Sequence, residues 1–279
     1  MRAVPSVLGL LALAVAAFAV AGPRGATASP RPQDAPAAAG GREVEYRHGD
    51  VTLRGWLARP ASVPAGGASA VLVVHDWMGC GDFAKRRADA LAAAGHVAFA
   101  LDMYGGGKVC GGPQEAMAQA TTFYKDRALM VARAKAGLDV LRAEPGVDRA
   151  RVAAIGFCFG GSVALQLARS GEAIAGVVSF HGGLKTDVPA AEGAVKAKLL
   201  VLHGGADPFV PPAEVAGFLE EMNRAKATWR MEVYGGAVHA FTNPAAGTDP
   251  SKGAAFDADA DRRSLAAQDA FFAEVLAAK

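Results

Sequence analysis

Short apolar runs alternate with helix-like stretches along most of the chain. Six of these runs are typical of strands, at about 71–75, 97–101, 151–156, 174–180, 198–203 and 228–234. Two further runs, 42–47 and 51–58, flank His48-Gly49-Asp50 and predict a hairpin. Together the runs predict eight strands.

Helical patterns lie between the strands. They cover 83–94, 128–143, 161–169, 212–226 and 259–278. Strands that alternate with helices favour an α/β fold, with a mostly parallel sheet covered by helices on both faces. We find no internal repeat and no second domain, and therefore predict one α/β domain over residues 42–279.

The first 28 residues have the pattern of a signal peptide. Arg2 precedes an apolar run from Val7 to Val20, which is short for a membrane span but suits a signal-peptide core. An uncleaved N-terminal anchor is the alternative. We expect export to a periplasmic or extracellular space, with residues 29–41 as a flexible lead-in.

The charge balance gives no support for nucleic-acid binding. Residues 1–28 contribute Arg2 and Arg24 and no acidic residue, so their removal leaves 27 basic and 27 acidic residues. We therefore expect no nucleic-acid partner, and no membrane contact once the signal peptide is removed. A mature chain of about 250 residues suits one domain with a large core, and we expect a monomer.

The segment Gly156-Phe157-Cys158-Phe159-Gly160 carries the strongest chemical signal. It lies between a strand and a helix, where a tight turn presents a nucleophile and glycine avoids collisions two residues to either side. A thiol at a helix N-terminus is favoured as the thiolate, which is the nucleophilic form. A buried structural cysteine beside packing glycines is the alternative interpretation.

Two partner residues follow in the chain order of a hydrolase. Asp207 comes after the run 198–203, and His239 comes after the run 228–234. His239 is expected to hold or accept the thiol proton and later to activate water, while Asp207 orients the imidazole. The backbone amides of Phe159 and Trp77 are the candidate oxyanion-hole donors.

These residues resemble the dienelactone hydrolase family. The matching segments are His75 to Gly79, Leu101 to Gly105, Gly156 to Gly161, His203 to Asp207 and Val238 to Phe241. The resemblance implies the α/β-hydrolase fold and hydrolysis of a small-molecule ester or lactone through a thioester, with no metal or organic cofactor. It also implies a substrate pocket near Tyr104, Lys108, Phe241 and Asn243.

Two positions depart from the best-known members of that family, which bind a substrate carboxylate with two arginines. The corresponding stretch here is Gly105 to Lys108, and the second position is Asn243, so a dienelactone substrate is not implied. Asp76 stands where those members have a glutamate that helps to activate the thiol. It either does the same or only braces its loop.

The remaining cysteines suggest a disulfide. Cys80 and Cys110 each follow one of two strands that neighbour each other in the expected sheet, so in an oxidising compartment we hypothesise a Cys80–Cys110 bridge beside a free Cys158. The open alternatives are free thiols, or a bridge to Cys158 that would disable the enzyme.

Three functions agree with these patterns. The first is a thiol-dependent ester or lactone hydrolase. The second is a cysteine acyltransferase or peptidase that uses the same residues. The third is a non-catalytic binding protein that keeps the fold.

Overall fold

The structure is a computed structural model that describes residues 40–278. The predicted signal peptide and nearly all of the predicted lead-in lie outside the described residues. Within them, no helix has both the length and the apolar character needed to cross a membrane.

One eight-stranded sheet forms the centre of the domain, in the order β1-β2-β4-β3-β5-β6-β7-β8. β1 and β2 form the predicted antiparallel hairpin, β2 pairs antiparallel with β4, and all other neighbouring strands are parallel. The mostly parallel eight-stranded sheet is therefore confirmed. The strands are β1 Arg42–His48, β2 Val51–Ala58, β3 Ala68–Val74, β4 Val97–Leu101, β5 Val147–Phe157, β6 Gly176–Phe180, β7 Lys198–Gly204 and β8 Trp229–Tyr234.

Six α-helices cover the sheet, in the part of the chain that the structure describes. They are α1 Asp82–Ala93, α2 Pro113–Lys125, α3 Arg127–Ala143, α4 Phe159–Arg169, α5 Pro212–Arg224 and α6 Ala258–Val275. Five were predicted, whereas α2 was not. Its sequence buries only Ala116, Ala120 and Phe123, so the apolar face is narrow and mostly alanine.

The alternation of side chains along β3 divides the core into two layers. Val71 and Val73 pack on one face of the sheet, together with residues of α1 and α6. Leu72 and Val74 pack on the other face, together with residues of α2, α3, α4 and α5. Because successive strand residues point to opposite faces, a strand that is buried on both faces supplies both layers.

The parallel strands direct their carboxyl ends to one edge of the sheet. The loops after β3, β4, β5, β7 and β8 begin there, and they carry the residues that the sequence singles out. This is the edge at which open α/β sheets form their functional sites.

Candidate active site

Cys158 occupies a strained turn between β5 and α4. Its backbone has φ 54° and ψ −116°, a region that non-glycine residues rarely adopt. The Cys158 amide donates to the Phe180 carbonyl at 3.0 Å and to Nδ1 of His181 at 3.2 Å. These bonds tie the turn to the end of β6 and hold the strained conformation.

The two flanking glycines are required by close backbone approach. A Cβ at Gly156 would lie 1.9 Å from the Gly160 carbonyl oxygen, and a Cβ at Gly160 would lie 2.3 Å from the Val74 carbonyl oxygen. Both distances are far below a van der Waals contact. The contact of Gly160 with the end of β3 also brings the start of α4 beside the loop that carries Trp77.

His239 connects the acid to the thiol. Its Nδ1 lies 2.8 Å from Oδ2 of Asp207, whose side chain is fully buried, and Cys158 lies within hydrogen-bonding reach of the ring. The other carboxylate oxygen of Asp207 accepts the Phe209 amide at 2.9 Å. The structure thus brings together the three residues that the sequence predicts.

The charge of Cys158 governs the protonation of His239. Burial acts to lower the pKa of His239. The charge of Cys158 and the hydrogen bonds to Asp207 and Cys158 outweigh burial and raise the pKa to about 10. The site therefore favours an imidazolium while the sulfur beside it is negative.

The amides of Trp77 and Phe159 are free to bind an oxyanion. Neither amide has a hydrogen-bond acceptor among residues 40–278. Phe159 is the first residue of α4, where an amide has no partner within its own helix. The Trp77 carbonyl is also fixed in place, because the Tyr104 hydroxyl donates to it at 2.8 Å.

Asp76 braces the loop that carries Trp77. Its Oδ1 accepts the Met78 amide at 2.8 Å, and its Oδ2 accepts Nδ2 of Asn243 at 3.3 Å. Burial raises the pKa of Asp76, and the hydrogen bonds from Met78 and Asn243 and the charge of His239 offset part of that effect. Asn243, four residues after His239, therefore binds the Asp76 carboxylate.

His75 is held as a neutral ring at the end of β3. Burial lowers its pKa, and its Nδ1 lies 2.5 Å from the Asp76 carbonyl, which can only accept. Nδ1 therefore carries the hydrogen, and Nε2 accepts the Met103 amide at 3.2 Å. The ring joins the loops after β3 and β4.

His181 links the nucleophile turn to the histidine loop. Its Nδ1 accepts the Cys158 amide, so its Nε2 carries the hydrogen and donates to the Thr242 hydroxyl at 2.8 Å. Burial and the charges of His239 and Arg87 lower its pKa well below the usual value. The ring stays neutral while its centroid lies 5.3 Å from that of His239.

Asp102 shapes the loop that presents Tyr104. Its Oδ1 accepts the amides of Tyr104 and Gly105, and its Oδ2 accepts those of Gly107 and Arg54, at 2.8 to 3.0 Å. Asp102 thus fixes the conformation of the loop from which Tyr104 reaches the loop that carries Trp77.

Two expected pocket residues have other roles. Phe241 is fully buried and packs against His181 and Tyr234, with ring centroids 5.0 and 5.5 Å apart, so it supports the site from beneath rather than lining a pocket. Lys108 is half-buried, and its Nζ pairs with Glu115 at 2.6 Å.

The structure has Cys80 and Cys110 as free thiols, in place of the hypothesised disulfide. Their loops do run side by side, since Gly79 and Val109 form an isolated β-bridge. However, the Cys80 thiol turns inward and donates to the Ala100 carbonyl at 3.5 Å, within an apolar cluster. Burial raises the pKa of Cys80 to about 12 and also raises that of Cys110.

Two further features bear on ligand binding. A groove of about 480 Å³ lies between the segment Leu184–Pro189 and α5, and no triad residue lines it. Among the described residues, no group of three or more His, Cys, Asp or Glu side chains is placed to hold a metal ion.

The fold and the site define the class of protein. A nucleophile turn after β5, an acid after β7 and a histidine after β8 in a mostly parallel sheet are the marks of an α/β-hydrolase. The model of the Dienelactone hydrolase family matches residues 53–276, and the chain belongs to that family. The protein is a hydrolase, and hydrolysis of esters or lactones is consistent with this membership.

Individual relatives agree with this assignment. The chain is 30% identical over 208 residues to Protein usf of Aquifex pyrophilus, across 73% of this chain and 87% of the relative. It is similar to the structure of m3DLH, with 36% identity and a TM-score of 0.80. It is also similar to a dienelactone hydrolase-like promiscuous phosphotriesterase from metagenomic libraries, with 38% identity and a TM-score of 0.79. Each of these two structural matches covers 85% of this chain and 98% of the other.

Proposed function

We propose that the protein is an exported, cysteine-dependent ester or lactone hydrolase that acts through Cys158, His239 and Asp207. The observation that carries the proposal is the position of His239. One ring nitrogen bonds Asp207 at 2.8 Å, and Cys158 lies within hydrogen-bonding reach of the ring. A base held between a buried acid and a nucleophile is the arrangement that acyl transfer needs.

Acylation follows from the charges in the site. The Cys158 thiolate attacks the substrate carbonyl carbon, and the resulting oxyanion is placed to accept the amides of Trp77 and Phe159. His239, as the imidazolium, gives its proton to the departing alkoxide oxygen. The carbon–oxygen bond breaks, and the acyl group remains on sulfur as a thioester.

Deacylation uses the change in His239 that acylation itself causes. A thioester sulfur carries no charge, so the charge that does most to raise the pKa of His239 is lost, while burial still lowers it. His239 becomes a neutral base and takes a proton from water, and the hydroxide oxygen attacks the thioester carbonyl. The acid leaves, the thiolate returns, and His239 keeps the proton.

Asp76 contributes to this chemistry through position. Its bonds to Met78 and Asn243 join the Trp77 loop to the segment after His239. We propose that Asp76 fixes the position of the Trp77 amide relative to His239. This bracing role is favoured over direct activation of the thiol, because both carboxylate oxygens already accept hydrogen bonds.

The test compares Cys158→Ala with Cys110→Ala. We expect hydrolysis of p-nitrophenyl acetate and of a simple γ-lactone to fall by at least about 10³-fold in Cys158→Ala and to stay within about threefold in Cys110→Ala, since only Cys158 is the nucleophile. Trapping with iodoacetamide, with substrate protection, should label Cys158. Full activity in Cys158→Ala would overturn the proposal, and thiol or amine acceptors that outcompete water would favour an acyltransferase.

Hydrolysis of phosphotriesters is a second candidate activity. It is favoured by the 38% identity to a promiscuous phosphotriesterase over 85% of this chain. The same thiolate would attack phosphorus and displace an aryloxide. Release of p-nitrophenol from paraoxon by the intact protein and not by Cys158→Ala would support this activity.

Export is proposed from the pattern of residues 1–28, which precedes the described part of the chain. The measurement is N-terminal sequencing of the full-length protein expressed in a bacterium, after fractionation. A mature N-terminus at about residue 29 in the periplasmic fraction would support the proposal. An intact Met1 in the cytoplasmic fraction would contradict it.

A further inference from the structure

Aromatic rings surround the residue that follows the nucleophile. The Phe159 ring lies 5.8 Å from Tyr104 and 5.6 Å from Tyr124, measured between centroids, and Tyr124 meets it edge to face. Phe123 adds a third ring at 5.9 Å and stacks on Tyr104 at 6.0 Å. Tyr104 and Tyr124 are only partly buried, so they offer ring surface to a ligand, whereas Phe123 and Phe159 form the floor behind them.

Each tyrosine hydroxyl uses its hydrogen in a hydrogen bond within the protein. The Tyr104 hydroxyl donates to the Trp77 carbonyl at 2.8 Å. Ser162 donates to the Gly183 carbonyl at 3.0 Å, so its oxygen is left to accept from the Tyr124 hydroxyl at 3.5 Å. Each tyrosine can therefore present an oxygen lone pair to a ligand, and neither presents a donor.

Two carboxylates and two guanidinium groups lie near these rings. Burial is the main cause that raises the pKa values of Tyr104 and Tyr124, and the nearby carboxylates of Asp76 and Glu214, respectively, add to it. The guanidinium of Arg127 lies over the Tyr124 ring at 5.3 Å, but its Nε is bound to Asp187 at 2.9 Å. A second guanidinium, that of Arg133, lies over Phe123 and donates to the Met103 carbonyl and to His48.

We propose that the acyl group of the substrate is uncharged and aromatic, and that it binds between Tyr104 and Tyr124. The proposal rests on the proposed function, because it concerns the group that becomes attached to Cys158. The two ring faces match a flat apolar group. A carboxylate on that group would face the carboxylates of Asp76 and Glu214 and the acceptor oxygens of both tyrosines, so it would be disfavoured.

The substrate test uses p-nitrophenyl esters that differ only in the acyl group. Phenylacetate is compared with cyclohexylacetate, which has similar size without a ring face. 4-Carbamoylphenylacetate is compared with 4-carboxyphenylacetate, which has nearly the same shape and a negative charge. We expect kcat/KM to be about tenfold higher for phenylacetate than for cyclohexylacetate, and about 10²-fold higher for the carbamoyl ester than for the carboxylate.

Two variants test which residues cause the charge discrimination. In Asp76→Asn and in Glu214→Gln, the ratio of carbamoyl to carboxylate turnover should fall by about tenfold, since each replacement removes one negative charge and keeps an acceptor oxygen. The readout is a ratio, so a general loss of activity in Asp76→Asn does not affect it. Glu214→Gln keeps the test available if Asp76→Asn is inactive.

The outcomes separate this proposal from the proposed function. Equal turnover of the carboxylate and carbamoyl esters by the intact protein would overturn the exclusion of charge. Equal turnover of phenylacetate and cyclohexylacetate would overturn the aromatic preference. In both cases Cys158-dependent hydrolysis, and with it the proposed function, would stand. Absence of any Cys158-dependent ester hydrolysis would overturn both.

Discussion

The charge of the Cys158 sulfur does more than any other group to raise the pKa of His239. Burial alone would leave His239 as a neutral imidazole, and the neighbouring sulfur reverses that tendency. Neutral His181 stands beside His239 without adding a second positive charge, because burial holds its pKa well below the usual value. Protonation of His239 therefore depends on the negative charge of the Cys158 sulfur.

Removal of the sulfur should therefore lower the pKa of His239. In Cys158→Ala we expect that pKa to fall by at least about two units from its value of about 10, because burial remains and the largest opposing influence is gone. As the pH rises, the intact protein should keep the imidazolium until about pH 10, and the variant should lose it earlier. The measurement is an NMR titration of the histidine ring protons, with His239→Gln to assign the signal.

Cys110→Ala is the control for this titration. It removes a thiol from the neighbouring loop and leaves Cys158 in place, so the pKa of His239 should not change. An unchanged titration in Cys158→Ala would contradict the assignment, because it would mean that Asp207 alone sustains the imidazolium.

The sequence predicted Cys158, Asp207 and His239 better than it predicted the residues that hold them in place. Cys158, Asp207 and His239 each follow a strand, and parallel topology converts that order into proximity. The bond from His181 to Thr242 joins residues 61 positions apart, and the loop after β8 decides it. No local spacing encodes such a bond, so the sequence pattern does not reveal the role of His181.

Among the secondary-structure elements, strands were predicted well and α2 was missed for a physical reason. Strand β3 is buried at every position and apolar at all of them except Ser69, because both faces are covered, and this gives a clear signal. Helix α2 packs through small side chains and presents Met117 to solvent, so it lacks a wide apolar stripe. That omission mattered, because α2 supplies Phe123 and Tyr124 to the site.

The junction between β3 and α4 leaves no room for a side chain at Gly160. In Gly160→Ala, the new methyl group would meet the backbone carbonyls of Val74 and His75, which cannot move without disturbing the sheet. We expect a loss of about 1–3 kcal/mol in the free energy of unfolding, measured by urea denaturation. Ester hydrolysis should also fall, because the Phe159 amide precedes this position directly.

Gly217→Ala is the matched control within a helix. Gly217 is exposed in the interior of α5, and a Cβ there would have no neighbour within 4 Å. Alanine has the higher helix propensity, so this replacement should stabilise the protein by about 0.5–1 kcal/mol. If both replacements had the same effect, crowding at the β3–α4 junction would not be the cause.

One buried ion pair joins the parts of the domain that carry the nucleophile and the acid. Arg169, the last residue of α4, donates to Glu221 of α5 through Nε at 2.9 Å and through Nη2 at 2.8 Å, and their side chains are 3% and 7% exposed. Arg169 also donates to the Leu184 carbonyl, and Glu221 accepts the Ala190 amide. The pair therefore holds α4, α5 and the segment after β6 together.

Breaking this pair from one side should cost far more than removing it whole. In Arg169→Met, Glu221 would remain as an unpaired carboxylate in an apolar layer, and we expect a loss of about 3–5 kcal/mol in the free energy of unfolding. In Arg169→Met with Glu221→Met no charge is left to desolvate, so most of that loss should be recovered, apart from the contacts to Leu184 and Ala190. Urea denaturation of both single variants and of the double variant forms a double-mutant cycle, which gives the interaction energy between Arg169 and Glu221. Additive losses would show that the two charges act independently, and that α4 and α5 are held together by apolar packing alone.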